Sequence, residues 1–484
     1  MNYSDSARIK AVLQNCGWEY VDNESIADVV ILDTCSVRQK SEDKIRGKLK
    51  DIRPDQKIRL TGCMIQHNLN LKKLRTIKGK QQNKGNFVSA VITKEPLIIG
   101  LEKLGISDIL KDIAKNLALF NKQEDILYIN HAFDPLYRQM HDAFPNIELF
   151  FRINDVGMLP YVMRALGYSV DHDVDLVNEY TGIIPANANM LFKEATKTAY
   201  VPISTGCSQF CAYCIVPYAR GLEKNRSLDE IMTEVRSHIA QGAEEIVFLG
   251  QIVNKHPDFY QLLKQTCALP GVTWVRYTSP YPTYYSDEIF SLHDREEKLC
   301  PHIHMPLQSG SDAILKKMFR GYTADQYKGF VDKIRSLSRP ISITSDIIVG
   351  FSDETDEDFL QSVALTEYSR FDMVYIGIYS PRPGTLGAKK YSDNVPQATK
   401  KQRRTALNDV LTRISHENNT LEIGSVRSII VKEQLPSVLL GYSDNMKNVV
   451  IHIDGDEGHT YTPGSFTTAT ITSAEPFKLF AQLS

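Results

Sequence analysis

Hydrophobic positions along this chain recur with two different periods, and the switches between them mark its organisation. Near the start, Ile9, Val12, Leu13 and Cys16 recur at helical spacing and Gly17 follows, which predicts a helix over 5–16. The apolar run Val29–Leu32 predicts a short buried strand ending at Asp33-Thr34-Cys35. A helix over 39–50 comes next, then a strand over 57–61 that leads into Thr61-Gly62-Cys63. This rhythm is that of a parallel α/β layer, where sites gather past the carboxyl ends of strands. Cys35 and Cys63 both fall at such ends. Further on, Leu149-Phe150-Phe151 reads as a strand, Leu159–Leu166 as a helix, and 180–197 as a loose linker.

From 198 onward strands and helices alternate again. Strands are expected at 199–203, 245–249, 272–277, 302–305, 343–348 and 373–379. Helices fall between them, for example over 228–241, 311–318, 324–337 and 356–368. Six strands with intervening helices predict a partial or complete α/β barrel. Residues 397–420 read as one charged helix carrying Lys400, Lys401, Arg403 and Arg404. Beyond 425 the pattern changes to short strands, Val426–Val431, Asn448–Ile453 and Phe466–Ile471, with Gly and Pro between them, which predicts a small all-β module.

Composition narrows the class. The 484 residues suggest about three domains, and the 42% apolar content is that of ordinary globular protein. Lys and Arg number 56 against 58 Asp and Glu, which excludes a basic coat for nucleic acid but leaves local patches open. One such stretch, 68–84, holds Lys72, Lys73, Arg75, Lys78, Lys80 and Lys84 and no acidic residue. A solvated linker face is its plain reading and an RNA-facing patch the sharper one. The N-terminus lacks a basic region followed by an apolar core, and no apolar run is long enough to span a bilayer. A cytoplasmic protein with no membrane contact is expected. Eight cysteines are too sparse for a disulfide scaffold, so reduced, metal-binding thiols are the expectation.

Three of those cysteines fall within eight residues: Cys207-Ser-Gln-Phe-Cys211-Ala-Tyr-Cys214. Three thiolates on one tight loop can ligate three irons of a cubane and leave the fourth open to a substrate or cofactor. A zinc site wants a fourth Cys or His close by, and the next histidine is His238. The alternative of three buried cysteines without metal suits neither the short intervals nor the polar loop.

This C-x3-C-x2-C loop after the first barrel strand resembles that of radical S-adenosylmethionine enzymes. Pro217-Tyr-Ala-Arg220-Gly221, Leu249-Gly250-Gln251-Ile-Val-Asn254 and His304-Met-Pro-Leu-Gln308-Ser309-Gly310-Ser311 narrow the resemblance. So do Asp346-Ile-Ile-Val-Gly350-Phe351 with Glu354-Thr355, and Tyr379-Ser-Pro-Arg382-Pro-Gly384-Thr385. Together they are similar to the methylthiotransferase family over most of the chain.

The resemblance implies three parts. An N-terminal parallel α/β methylthiotransferase domain would occupy 1–180, with an insertion over 71–145. A radical S-adenosylmethionine domain with a partial (β/α)6-type barrel and the charged helix would occupy 198–420, and a TRAM-like all-β RNA-binding barrel 421–484. It implies S-adenosylmethionine and two [4Fe-4S] clusters as cofactors. Cys207, Cys211 and Cys214 would hold the radical cluster. Tyr213 matches the family's cofactor-contacting aromatic, and Gln251, Gln308, Ser309, Asp346 and Arg382 are further candidate contacts. Gly310 and Gly350 suit either that cofactor side or simple turn geometry.

Cys35 and Cys63 match the second and third ligands of the family's auxiliary cluster. The first family cysteine sits in Gly-Cys-Gln-Met-Asn-x-x-Asp-Ser, and this sequence opens inside that motif at Met1-Asn2-Tyr3-Ser4-Asp5-Ser6. The missing ligand is therefore expected two residues before Met1, on a chain whose N-terminus reads as truncated or as started late. Cys16 does not replace it, because a helix of twelve residues carries it about 18 Å from the cluster end. Cys16 fits the apolar helix face, and Cys267 and Cys300 read as structural. Thr205-Gly206-Cys207 and Thr278-Ser279-Pro280-Tyr281-Pro282 depart from the family's Arg-Gly-Cys and Thr-Ser-His-Pro.

The opening residues resemble the MiaB type, which methylthiolates N6-isopentenyladenosine at position 37 of tRNA. Threonylcarbamoyl-adenosine in tRNA, a ribosomal-protein aspartate, and a catalytically impaired RNA-binding role are the alternatives. The resemblance implies the tRNA anticodon loop as partner, an electron donor such as flavodoxin or ferredoxin, a sulfur source, and a monomeric chain. The C-terminal module is not basic, with Asp444, Asp454, Asp456 and Glu457, so RNA contact there is expected through a few residues such as Lys447 and Asn448.

Overall fold

The computed structural model describes residues 6, 9–10, 12–14, 17–21, 23–34, 39–62, 128–129, 143–151, 159, 163, 168–169, 197–453 and 460–484. The chain divides into two compact units, Met1–Leu191 with Ile215–Leu222, and Phe192–Cys214 with Glu223–Ser484.

The first unit contains a sheet of β1 (Val29–Thr34), β2 (Lys57–Gly62), β3 (Tyr128–Ile129) and β4 (Ile147–Phe151) in the order β1-β2-β4-β3. Strands β1, β2 and β4 run parallel, and β3 lies antiparallel at the edge. Helix α1 (Gln39–Asp51) crosses from β1 to β2, as the expected strand–helix rhythm requires. Val30, Leu49, Ile52, Ile58, Leu60 and Ile147 form one core. Ile9, Val12 and Leu13 pack with Leu159 and Met163 in another, so the helical spacing near the start is a buried stripe. The β1–β2 register pairs Asp33 with Thr61 and Thr34 with Gly62, so two adjacent strands end side by side. Cys35 and Cys63, the residues that follow those ends, lie outside the described residues, as do Cys16, the 68–84 run and almost all of the 71–145 and 180–197 stretches.

In the second unit six parallel strands form two three-stranded sheets. The first is β5 (Thr198–Pro202), β8 (Glu245–Leu249) and β9 (Trp274–Tyr277); the second is β10 (His302–His304), β11 (Ser342–Val349) and β12 (Met373–Ile378). All four pairings are parallel. Bridges Val275 to Leu299 and Gln308 to Ile347 extend the pattern outside the named strands. These are the six strands expected from the sequence, shifted by at most two residues at their ends, and they build the partial α/β barrel. A short hairpin, β6 (Ser204–Thr205) with β7 (Lys224–Asn225), follows the first strand.

Most helices between the strands begin at a side-chain cap, the helix Phe259–Cys267 being an exception. Ser227 with Glu230 starts α2 (Leu228–Ala240), and α3 (Phe259–Cys267) and α4 (Asp287–Arg295) follow. Ser311 caps α5 (Asp312–Lys317), Thr323 with Gln326 starts α6 (Ala324–Arg335), and Thr355 with Asp358 starts α7 (Asp356–Ser369). The short α8 (Leu386–Lys390) and the long α9 (Gln397–Thr420) complete the domain.

The C-terminal module is a closed barrel of β13 (Val426–Leu435), β14 (Val438–Ser443), β15 (Asn448–His452), β16 (Phe466–Glu475) and β17 (Lys478–Leu483). Ile429, Val431, Leu439, Val449, Ile451, Ala469, Ile471 and Leu479 fill it. It docks against the amino ends of the parallel strands. Trp274 and Cys300 pack on Ile430, with Tyr442 and Phe466 alongside. Arg276 Nε pairs with wholly buried Glu245 at 2.7 Å while its Nη atoms donate to the carbonyls of Ser443 and Asp444 at 2.9 and 2.8 Å. Tyr442 and Thr198 each donate to the other Glu245 oxygen at 2.7 Å. The expectation that Lys447 contacts RNA is corrected here. Lys447 is buried, and its ammonium is spent on Asp372 at 2.8 Å and Asn419 at 2.9 Å, so it fastens the barrel to α9 and β12. Among the described residues, no helix is long and apolar enough to cross a membrane.

Candidate active site

The motifs singled out in the second unit lie in the carboxyl halves of parallel strands or just past them, where open sheets and barrels place their chemistry. The loop after β5 carries Cys207, Cys211 and Cys214, none of them in a disulfide, the first two buried. Gly206 takes φ +70° just before Cys207, a left-handed turn that glycine adopts without strain. The rest of the loop is pinned by backbone bonds. Cys214 N–H donates to the Cys211 carbonyl at 2.9 Å, Ala212 N–H to Met318 at 2.9 Å, and Gly387 N–H to the Ala212 carbonyl at 2.6 Å. A Cβ on Gly387 would stand 2.8 Å from that carbonyl oxygen, so only glycine lets α8 approach so closely.

Donors converge on the sulfurs. Gln209 N–H points at Cys207 Sγ at 3.4 Å, and Arg320 Nη1 donates to Cys211 Sγ at 3.6 Å. The Gln209 side chain donates through Nε2 to the Tyr284 hydroxyl at 2.6 Å. Burial pushes the Cys207 thiol up to about 11, so the bare sulfur favours its protonated form. A bound cation reverses that preference, because metal ligation needs the thiolate. Tyr213 packs against the cluster of Ala212, Ile314, Met318, Phe351 and Tyr379, and burial pushes its hydroxyl well above the usual value, opposed by the Arg320 charge.

Among the described residues, no three of His, Cys, Asp and Glu already converge as a metal cage. The fit to an iron–sulfur group therefore rests on the donor set: three cysteines outside any disulfide on one glycine-hinged loop, with N–H donors aimed at two of the sulfurs. Soft thiolate ligands are those such clusters take.

The loops facing this one are built as follows. Gln308 takes φ +69° and bridges to β11, its N–H donating to the Asp346 carbonyl at 2.8 Å and its own carbonyl accepting from Ile348 at 2.9 Å. Ser309 is fully buried, its Oγ accepting from Ser311 N–H at 3.2 Å and lying 3.4 Å from Ser362 Oγ. Asp346 accepts from His304 Nε2 at 3.0 Å and stays partly open. Gln251 follows β8 and is half-buried, and Arg382 is buried past β12.

Of the two glycines read as either turn or cofactor side, Gly350 makes a turn at φ +72° and Gly310 makes a close approach. A Cβ on Gly310 would stand 2.4 Å from the Gln361 carbonyl oxygen, and its N–H donates to Ser362 Oγ at 2.8 Å, so the loop lies directly on α7. The Gly350 turn is stapled by Glu354, which accepts from Gly350 N–H at 2.7 Å and from Arg403 at 2.8 Å. Burial raises the Glu354 carboxyl, and those two donors oppose the shift. Cys267 and Cys300 are buried thiols away from this loop, Cys300 pushed up to about 12 by burial.

Sequence reading did not single out Arg320, Gln209, Tyr284 or Tyr322. Arg320 and Tyr284 enter the site through contacts across long sequence separations, 109 residues for Arg320 and Cys211 and 75 for Tyr284 and Gln209, which no local pattern displays. The one available signal was Tyr281, inside the stretch that departs from the family's Thr-Ser-His-Pro. Its ring lies 4.1 Å from the Arg320 guanidinium.

Residues 201–366 match the Radical SAM superfamily, and residues 1–82 match the Uncharacterized protein family UPF0004. The first of these implies S-adenosylmethionine and an iron–sulfur group. A tRNA-2-methylthio-N(6)-dimethylallyladenosine synthase from Dictyoglomus thermophilum is 31% identical over 99% of this chain and 95% of its own length. One from Thermosipho africanus is 32% identical over 94% of this chain and 91% of its own. With the cysteine loop, the partial barrel and the closed C-terminal barrel in place, these near-full-length matches mean that the chain belongs to the MiaB-type methylthiotransferase family of radical S-adenosylmethionine enzymes.

Proposed function

We propose that this chain transfers a methylthio group to N6-dimethylallyladenosine in tRNA. The observation that carries the reading is the 31% identity over almost the whole of both chains to a relative named for that reaction. Cys207, Cys211 and Cys214 would hold a [4Fe-4S] cluster. Bound there with S-adenosylmethionine, it would supply one-electron reduction of the sulfonium.

The chain's own residues hold and enclose that chemistry. Ala212, pinned between Met318 and Gly387, fixes the cysteine loop. Gln308 and Gly350, in left-handed turns, aim the loops after β10 and β11 across the same end of the sheets. Tyr213, Gln251, Gln308, Ser309, Asp346 and Arg382 are the proposed cofactor side, with Asp346 offering a carboxylate oxygen to an amine or ribose hydroxyl. Ser309 acts through the loop it fastens to α7. Cys35 and Cys63 are the proposed thiolates of an auxiliary [4Fe-4S] cluster, supported by the paired ends of β1 and β2 that precede them.

Three domains are proposed, over 1–180, 198–420 and 421–484. A monomeric chain, an anticodon-loop partner, a flavodoxin- or ferredoxin-like electron donor and a separate sulfur source complete the proposal. An accessible single-stranded base suits such a site, because it can be selected by stacking and edge contacts. The test is anaerobic turnover with three substrates: dimethylallylated tRNA, threonylcarbamoylated tRNA and ribosomal protein. Product on the first supports the reading. Product on either of the others alone refutes it.

A further inference from the structure

We infer that Arg320 is a positioning residue for electron entry: its guanidinium, hydrogen-bonded to the Cys211 sulfur, favours the reduced state of the iron–sulfur group held by Cys207, Cys211 and Cys214. The inference rests on the ligand assignment proposed above and concerns a residue that assignment does not use.

The geometry fixes the cation in one pose. Nη1 donates to Cys211 Sγ at 3.6 Å, Nη2 to the Pro306 carbonyl at 3.1 Å, and Nε to the Tyr322 hydroxyl at 3.0 Å. The plane is covered by the Tyr281 ring at 4.1 Å, and the Tyr322 ring centre lies 5.2 Å away. Those rings are themselves tied down. Tyr281 accepts from Gly321 N–H at 3.1 Å, and Tyr322 donates to the Pro306 and Leu307 carbonyls at 2.9 and 2.8 Å.

The charge balance of Arg320 differs from that of five buried cations in the same unit. Buried Arg226, Arg276, Arg403, Lys400 and Lys447 each face a carboxylate: Glu234, Glu245, Glu354, Asp393 and Asp372. Among the described residues, no Asp or Glu pairs with Arg320. Its partners are two oxygens, aromatic faces and a thiol sulfur, with no carboxylate at ion-pair distance between its charge and the cysteine loop. Arginine stays protonated at any working pH, so the charge is constant and no proton moves with the electron.

Reduction adds one electron, taken from a low-potential one-electron donor, and so adds one negative charge beside a fixed positive one. A nearby opposite charge favours the more negative state, by the same electrostatics that lowers the pKa of a carboxyl next to a cation. Hydrogen bonds to the sulfurs and local charge are the protein's levers on such potentials. Arg320 applies both at one ligand.

The test is a redox titration of the anaerobically reconstituted full chain, with dithionite as reductant and the paramagnetic signal of the reduced cluster as readout. Loss of that signal in the C207A/C211A/C214A variant identifies the cluster concerned. A signal untouched in that variant refutes the ligand assignment and the inference with it. R320Q and R320M should bind the same iron as the parent but show a reduced-to-oxidised ratio about tenfold lower at a fixed potential, about 59 mV for a one-electron couple. R320K, which keeps the charge but not the fork, should lose less than about threefold. Unchanged ratios in R320Q and R320M overturn the inference. So does loss of iron in them, which makes Arg320 a structural residue, and so does an R320K that matches R320Q, which removes the charge from the explanation.

Discussion

At the junction between the parallel strands and the C-terminal barrel, three polar contacts pass through the Arg276 side chain, and Arg276→Met should expose that. Glu245 is wholly buried and would keep Thr198 and Tyr442 as partners while losing its counter-charge. Removing one member of a buried ion pair costs about 3–5 kcal/mol, because the survivor stays charged and unpaired. The Ser443 and Asp444 carbonyls lose their donors in the same change, at about 1–3 kcal/mol for each buried group. Since all three losses pass through one side chain they do not add fully, and a total of about 5 kcal/mol is expected. The double variant Glu245→Leu/Arg276→Met removes both charges and should recover at least about 2 kcal/mol of it, because an apolar pair can replace a buried ion pair at little cost.

The assay is urea unfolding followed by Trp274 fluorescence. The chain has two tryptophans, so Trp18→Phe leaves Trp274 as the reporter. Its ring packs edge-on against Phe466 at 4.8 Å and lies 4.6 Å from the Arg276 guanidinium, so it reads the junction itself. A local reporter is needed because a chain of several domains need not unfold in one step. A loss below about 1 kcal/mol in R276M, or a double variant no more stable than the single one, would refute the reasoning.

Three further outcomes follow from other sites. Burial lowers His293 from its usual value to about 3, so between pH 6.5 and about 3 the unfolded chain binds a proton that the folded chain does not, and stability falls as pH drops through that window. His293→Gln should flatten the slope of stability against pH between 6 and 4 by about 1.4 kcal/mol per unit, measured by urea titration at each pH; an unchanged slope contradicts the burial argument. Gly310→Ala drives a Cβ into the backbone of α7 and should cost about 1–3 kcal/mol by thermal unfolding, whereas Gly329→Ala, with nothing within 4 Å, should cost nothing. Lys447→Met should destabilise the chain by about 3 kcal/mol yet leave the salt dependence of tRNA binding unchanged; a shallower salt slope would show that Lys447 meets phosphate after all.

The parts legible in the sequence were those with a strong local period. Strand β8 is buried at every position and apolar over 246–249, and β11 ends in the apolar run Ile347–Val349, which is why the parallel sheets could be placed to within two residues. The hairpin of β6 and β7 has two residues a side, too few to show any period. Strands β14 and β17 alternate between buried and half-buried residues rather than buried and exposed ones, because a small closed barrel docked on one side leaves little water-facing surface, and their pattern faded into the turns. For the site, the cysteine loop and the glycine turns announced themselves by spacing. Arg320 did not, since a single arginine between Phe319 and Gly321 has no motif, and its meaning comes from Cys211, Tyr281 and Tyr322 meeting it in space. Lys447 misled for the converse reason: a lysine in a turn reads as exposed, and only the docking of the barrel onto α9 and β12 buries it.

The measurement that bears most directly on the central claim is nucleoside analysis of tRNA by mass spectrometry. The host is a strain that makes N6-dimethylallyladenosine but cannot methylthiolate it, expressing either this chain or its C207A/C211A/C214A variant. The account predicts 2-methylthio-N6-dimethylallyladenosine with the parent chain and only the unthiolated nucleoside with the variant. Absence of the product with the parent, or its presence with the variant, would contradict it.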